Sequence, residues 1–269
     1  MKRRLKALLG RLFYQTGLYR RYFRDKALVV LFHRVDDRLK DNPISCGVSE
    51  FRDYCRFFSR YFKVVSLGEM LTTLRAGEDV SGLMAITFDD GYRDNYEVAA
   101  PILSEFKLPA CFFVATGLVN STTVPPWDKN IGVEKSWMNW GEVRMLRDQG
   151  FEIGSHTVNH VDLGILRDDP AEAEITVSKA RLESELNEPC KHFSYPFGRL
   201  DQMTEDNREL VRRAGYDCCV SAYGGAVAPN ADPYYVKRAP ISPWYISPYH
   251  FGFEAMFFDL SGPEFIKGE

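Results

Sequence analysis

The sequence predicts an α/β fold: a parallel sheet with helices outside it, preceded by a basic amphipathic helix. Three observations carry that prediction. Short apolar runs alternate with helix-patterned segments from Ala27 onward, and repeated β-then-α units imply parallel strands with helices on the outside. The 269 residues are enough to bury a core without disulfides. The first 26 residues have a composition of their own, which separates a basic N-terminal segment (1–26) from one α/β domain (27–269). About seven or eight strands of this kind can close into a barrel or lie open and doubly wound. No G-x-G-x-x-G follows the first strand, so nothing points to a dinucleotide fold.

The elements follow in order. Residues 27–32 are an apolar strand and 51–62 a helix. A short strand at 64–65 leads into Ser66-Leu67-Gly68-Glu69, a capping box that opens a helix to residue 76. Residues 83–88 are a strand, 96–106 a helix and 110–115 a strand. Asn139-Trp140-Gly141-Glu142 opens the next helix and Gly150 stops it. Then come a strand at 151–154, a long helix at 171–186, a strand at 193–195, a helix at 205–214 and strands at 218–221 and 234–237.

Of the chain's 34 Lys and Arg, nine fall in residues 1–26 beside a single acid, Asp25, while the whole chain carries a net charge of −3. A basic head on an acidic body implies an anionic partner. The apolar stretch Ala7-Leu8-Leu9-Gly10 is stopped by Arg11, too short for a signal-peptide core. No run of roughly 18 apolar residues is present to span a bilayer. Leu5, Leu8, Leu9, Leu12, Tyr19, Tyr22 and Phe23 follow helical spacing, with cations on the other faces. That profile predicts peripheral contact of residues 1–24 with an anionic membrane surface. The plainer alternative is a helix packed on the domain with a solvated basic face. Nucleic acid is not expected, because no basic stripe continues into the body. The six cysteines (Cys46, Cys55, Cys111, Cys190, Cys218, Cys219) show no C-x-x-C spacing. Read as reduced thiols, they favour a cytoplasmic location, peripheral at the inner face of the cell membrane.

The chemistry concentrates at strand ends. Asp89-Asp90 follow one strand, His156 another, Tyr195-Pro196-Phe197-Gly198 a third; His33 ends the first and Arg238 follows the last. Active sites of parallel barrels gather at the carboxyl ends of their strands, so these groups are expected on one rim. His156 and His160, four apart, would face one ion from a single helical turn. With a carboxylate from Asp89 or Asp90, two imidazoles suit Zn²⁺ or another borderline divalent ion and leave coordination positions open. The second carboxylate can then take a proton from an activated water. Asp-Asp-Gly is elsewhere commonly a turn, but here it closes a buried-type strand.

These residues resemble the polysaccharide deacetylases, the NodB-homology carbohydrate esterases. Thr87-Phe88-Asp89-Asp90-Gly91-Tyr92 is similar to their first motif, His156-Thr157-x-x-His160 followed by Leu163 to their second, and Pro196-Phe197-Gly198 to part of their third. The opening Leu31-Phe32-His33-Arg34-Val35 and residues 137–146 also resemble members of the family, and the likeness covers residues 27–242. It implies a distorted (β/α)7-type barrel, metal ligands Asp90, His156 and His160, and Asp89 as general base. The backbone N–H of Phe197 would help stabilise the oxyanion, and the reaction would remove an N-acyl group, usually acetyl, from an amino sugar. Two departures stand out. Ser194 stands where the family often has an Arg that orients the base, and Arg238 is expected to replace it. No Leu-x-His setting supplies the usual general acid, which leaves His33 ahead of His250.

Tyr195, Pro196 and Trp127 are candidate sugar contacts; Trp127 lies in the long segment 118–139 with Trp137, and segments of that length usually have a purpose. His192 and Trp140 read as structural. The expected substrate is an amino sugar of a cell-envelope glycan or lipid-linked saccharide such as a lipopolysaccharide precursor. A deformylase on such a sugar, a hydrolase of small cyclic amides and a non-catalytic carbohydrate binder are the alternatives. The basic head argues against the cyclic amide, and retention of a base argues against mere binding.

Overall fold

In the computed structural model, which describes residues 1–39, 42–129, 136–166 and 168–257, β1 (Leu28–Phe32) pairs with β5 (Leu83–Phe88) on one side and β10 (Val236–Pro240) on the other. From β10 the ladder runs through β9 (Cys218–Gly224), β8 (His192–Ser194), β7 (Glu152–Ser155) and β6 (Cys111–Val114) back to β5. The ring is therefore a closed, parallel, seven-stranded barrel, as the resemblance implied. Every residue of β1 and β5 is buried, which is why both read as unbroken apolar runs rather than alternating ones. The one polar residue in β5 is satisfied: Thr87 Oγ1 donates to Val30 O at 2.7 Å.

An eighth strand distorts the ring. β4 (Lys63–Val64) pairs with the first residues of β5, while β6 pairs with the last two on the same edge. The β5–β6 seam is thus zipped only at the end where β5 delivers its two carboxylates. A small parallel pair, β2 (Arg34–Val35) with β3 (Ser45–Cys46), continues from β1 and was not expected.

Seven helices accompany the expected pattern: α1 (Lys2–Thr16), α2 (Val48–Tyr61), α3 (Leu67–Arg75), α4 (Ala100–Phe106), α5 (Trp140–Asp148), α6 (Asp168–Leu186) and α7 (Glu205–Arg213). An eighth, α8 (Pro248–Phe257), was missed. Ser66 caps α3 through Glu69 N, and Asn139 and Glu142 form a complete capping box on α5. The helix expected from residue 96 begins instead as a π turn, Asn95–Ala99, before α4. Pro101 brings no backbone N–H to the first turn of α4, and the backbone bond at that junction runs from Ala100 N to Asn95 O.

α1 lies against α8. A methyl on Gly10 would come within 2.0 Å of Tyr249 O, so the glycine permits the close approach. Tyr14 stacks on Tyr19 with ring centroids 4.5 Å apart and packs on Phe57 of α2. The N-terminal segment is therefore built into the main aromatic core. Leu5, Leu8 and Leu12 remain more than half exposed.

The end of the barrel away from the carboxylates holds a separate polar cluster. Glu152 accepts from Leu67 N at 2.9 Å and Gly68 N at 3.0 Å, at the start of α3, and lies 3.6 Å from His192 Nε2. His192 Nδ1 is 3.4 Å from Cys218 Sγ. All six cysteines are buried free thiols, and no described helix is long and apolar enough to cross a membrane. Burial works against charge on His192, but Cys218 and Glu152 outweigh it and push the imidazole up to about 10. Burial raises Glu152, yet His192 and the α3 amides pull it below its ordinary value. A raised histidine stabilises the fold fully below its unfolded pKa of about 6.5, and the stabilisation is lost as pH rises through the folded one. A depressed glutamate stabilises above its unfolded pKa of about 4.3 and loses that as pH falls. The pair is at full strength between these limits. Urea midpoints from pH 5 to 10 should therefore show a gap between wild type and His192→Gln that is widest near pH 5–6 and shrinks toward pH 10. A gap independent of pH would show that the charge on His192 contributes nothing.

Candidate functional site

Asp89 and Asp90 leave β5 in different directions because the backbone turns between them. Asp89 continues the strand, its N–H donating to Phe32 O at 3.0 Å. Asp90 has φ +76° and Gly91 φ +85°, a left-handed pair in which glycine carries no penalty. A side chain on Gly91 would also press on Val114 at 3.2 Å.

Asp90 meets the two histidines. Its Oδ1 lies 3.3 Å from His156 Nε2 and 3.2 Å from His160 Nε2, and one ligand atom from each of the three residues falls within 4.8 Å of the others. His156 Nδ1 is 2.8 Å from Ser194 O; a carbonyl can only accept, so Nδ1 carries the proton and Nε2 offers a lone pair. Asp90 Oδ1 has no hydrogen-bond donor although it is buried. Such an orphaned acceptor facing two imidazole nitrogens fits a divalent cation. Burial raises the Asp90 carboxyl, but the two imidazoles hold it well below the usual range.

The two histidines are not on a helical turn. Residues 156–160 form a loop after β7, with Thr157 at φ +65° and His160 at φ +52°. Glu174 of α6 holds that loop, its carboxylate accepting from Val158 N at 2.8 Å, Asn159 N at 2.9 Å and Asn159 Nδ2 at 2.7 Å. The spacing of four was read as helical; three hydrogen bonds from one carboxylate make the loop instead. Nothing in the local pattern marked Glu174, which lies in an acid-rich helical run.

Asp89 belongs to Arg238. The guanidinium donates to Asp89 Oδ1 at 2.8 Å and Oδ2 at 2.6 Å, to Ser194 Oγ at 2.8 Å and to Thr87 Oγ1 at 3.1 Å, and its Nε donates to Ser221 O. Ser194 Oγ also reaches Asp89 Oδ2 at 3.0 Å. Arg238 is fully buried. It lies inside β10 rather than after it, because the last strand runs later than the expected 234–237. Its partner, Asp89, sits across the barrel. Burial raises Asp89, and Arg238 followed by His156 more than offsets this, leaving the carboxyl below its ordinary value.

A cleft of about 650 Å³ opens over these groups. His33, Trp127 and Phe197 line it with both aspartates and both histidines. Burial depresses His33, with Asp90 and Asp89 acting in the opposite sense. Trp127 packs on His160 with ring centroids 4.5 Å apart, and its Nε1 donates to Tyr92 Oη at 2.8 Å. Tyr92 in turn donates to Asp128 at 2.8 Å, and Asp128 forms a buried ion pair with Arg34 at 2.7 Å. This chain fastens the described part of the 118–139 segment; residues 130–135 lie outside the described residues. Phe197, at φ +62°, also packs on His160, at 5.1 Å, and no described group accepts from its backbone N–H.

Other candidates sit differently. Tyr195 borders the cleft, but its ring is fully buried against Phe193 and cannot lie on a sugar face. Pro196 is buried and does not line the cleft; its carbonyl accepts from Gly198 N in the turn that presents Phe197. His250 is neither surface nor cleft: it is fully buried in α8, 3.2 Å from Glu254.

Residues 76–219, more than half the chain, match the family model described as polysaccharide deacetylase. The Staphylococcus aureus poly-beta-1,6-N-acetyl-D-glucosamine N-deacetylase is 26% identical over 249 residues, covering 82% of this chain and 81% of that protein. YxkH of Bacillus subtilis is 28% identical over 158 residues, 59% of this chain and about half of that protein's length, 51%. The same fold is seen in the Streptococcus pyogenes deacetylase PplD, solved with acetate, at a TM-score of 0.71 and 23% identity over 84% of this chain and 96% of that one. IcaB of Ammonifex degensii aligns at a TM-score of 0.68 and 23% identity over 85% and 97%.

Because Glu174 fastens the loop that carries His160, Glu174→Ala should weaken divalent-metal binding about 10- to 100-fold, the usual effect of losing a ligand's supporting partner. Calorimetric titration with Zn²⁺ measures it. Unchanged affinity would mean that the loop holds His160 without Glu174.

Proposed function

The chain belongs to the polysaccharide deacetylase family, and from that membership we propose that it is a metal-dependent hydrolase removing the N-acyl group, usually acetyl, of an amino sugar. The observation that carries this reading is the separation of two neighbouring carboxylates: Asp90 faces His156 and His160, while Asp89 is held by Arg238. The donor set of two imidazoles and one carboxylate suits Zn²⁺. When bound there, the ion would supply Lewis acidity toward the acyl carbonyl and a water.

The chain's own groups do the rest. Arg238 and Ser194 fix the direction of the Asp89 carboxylate and keep it ionised at neutral pH, ready to accept a proton from the attacking water. The N–H of Phe197, which no described group accepts, would donate to the negative charge that develops on the acyl oxygen. Trp127 and Phe197 flank His160 and offer apolar faces to a sugar ring. His33 is the remaining imidazole on the cleft wall and our candidate for proton delivery to the departing amine.

We place the substrate in a cell-envelope glycan or its lipid-linked precursor, at the inner face of the cell membrane. The support is α1. Its exposed Leu5, Leu8 and Leu12 lie among Lys2, Arg4 and Arg11, the profile of a helix resting on an anionic bilayer. Its first turn reaches the cleft through Arg3.

Asp89→Asn should retain one divalent ion per chain and lose turnover by about 10²- to 10⁴-fold, whereas Asp90→Asn should lose the ion. Metal analysis with acetate release from amino sugars tests both, and wild-type turnover in Asp89→Asn would sink the base assignment. Formate release in place of acetate from the same panel would make the enzyme a deformylase. Replacing exposed Leu5, Leu8 and Leu12 together by Ser should abolish co-sedimentation with phosphatidylglycerol vesicles while preserving the Tm; undiminished binding would rule out α1 as the contact.

A further inference from the structure

Arg3 stands where two cavities meet. One is the catalytic cleft; the other, of about 510 Å³, is lined by the first turn of α1 together with Trp244 and Ile246. Arg3 and Trp244 line both. The guanidinium carbon lies 3.5 Å from the Trp244 ring centroid. Stacking uses the face of a guanidinium and leaves its in-plane N–H fork available.

Among the described residues no carboxylate, carbonyl or hydroxyl accepts from Arg3. Arg34, the other guanidinium on the cleft wall, is taken by Asp128 at 2.7 Å and Asn42 at 2.9 Å. Lys2 and Arg4 line the second cavity beside Arg3. Glu254, the acid that pairs with this helix, is engaged by Lys6 at 2.6 Å and by His250 at 3.2 Å. The indole Nε1 of Trp244 is likewise buried without an acceptor. A half-buried, oriented, uncompensated arginine with two further cations around an open space is complementary to a multivalent oxyanion, and an Arg fork matches phosphate bidentately.

We propose that Arg3, stacked on Trp244, binds a phosphate group of the substrate, so that the enzyme takes an amino sugar carrying a phosphate beside the ring. The sugar fills the cleft and its phosphate lies over the rim into the basic cavity. This rests on the reading of the cleft as an amino-sugar site. It also explains why α1 is built into the fold instead of trailing from it: the helix contributes a side chain to the substrate site.

The test compares N-acetylglucosamine with N-acetylglucosamine 1-phosphate on full-length, metal-loaded protein. Wild type should prefer the phosphorylated sugar in kcat/KM by about 10- to 100-fold, the range for a charge-assisted hydrogen-bonded contact. Arg3→Ala should collapse that ratio, and Arg3→Lys should restore part of it; each ratio is measured on one sample, so it is independent of the folded fraction. No preference in wild type, or an unchanged ratio in Arg3→Ala, overturns the subsite. Calorimetric binding of the same two sugars needs no turnover. If neither sugar is hydrolysed but the phosphorylated one binds through Arg3, the reaction is misassigned and the subsite stands. If Arg3→Ala weakens binding to phosphatidylglycerol vesicles and leaves the sugar ratio intact, Arg3 serves a lipid headgroup and the proposal falls.

Discussion

Arg238 crosses the barrel interior to hold Asp89, and much of the architecture is arranged around that contact. The guanidinium sits on β10, the strand that closes the ring against β1, and reaches groups on β5, β8 and β9. A buried cation without its partner would be strongly destabilising, by about 3–5 kcal/mol for such a pair. Ring closure and the orientation of Asp89 are thus one requirement. Opening the barrel at β1–β10 would strand a charge, and moving Asp89 would leave Arg238 with only neutral oxygens.

The same contact gives two adjacent carboxylates different partners. Unpaired, neighbouring acids sharing one small site would raise each other's pKa. Here the left-handed turn at Asp90 and Gly91 sends the second carboxylate toward His156 and His160, while the first stays with Arg238. Both remain below the ordinary carboxylate range despite full burial. Ser194 joins the halves: its hydroxyl bonds Asp89, and its carbonyl accepts from His156 Nδ1. A short polar residue suits that position, since the guanidinium already occupies the space beside Asp89.

α1 is part of the scaffold. Its inner face is locked by Gly10 and Tyr14 onto α8 and α2, so its outer leucines and its first-turn cations have fixed directions relative to the cleft. α1 is packed on the domain, as the plainer alternative expected, and leaves Leu5, Leu8 and Leu12 exposed.

Residue type and order made the fold class legible, because strands buried on both faces must be apolar throughout and helices capped by Ser66 and Asn139 must start where they do. They also brought His156 and His160 together with Asp89 or Asp90, because these residues follow strands that end on one rim; the family resemblance then singled out Asp90. The shape of that cluster was not legible. The loop at 156–160 depends on Glu174, and the direction of Asp89 depends on Arg238, 149 residues away. Tyr195 reads as a sugar contact until the barrel turns its ring inward, and the stack of Arg3 on Trp244 joins the two ends of the chain. The sequence by itself determined which chemical groups the protein carries and which strands deliver them. Only the tertiary structure decided which groups touch, because pairing across a closed barrel is set by ring geometry and burial rather than by any local pattern.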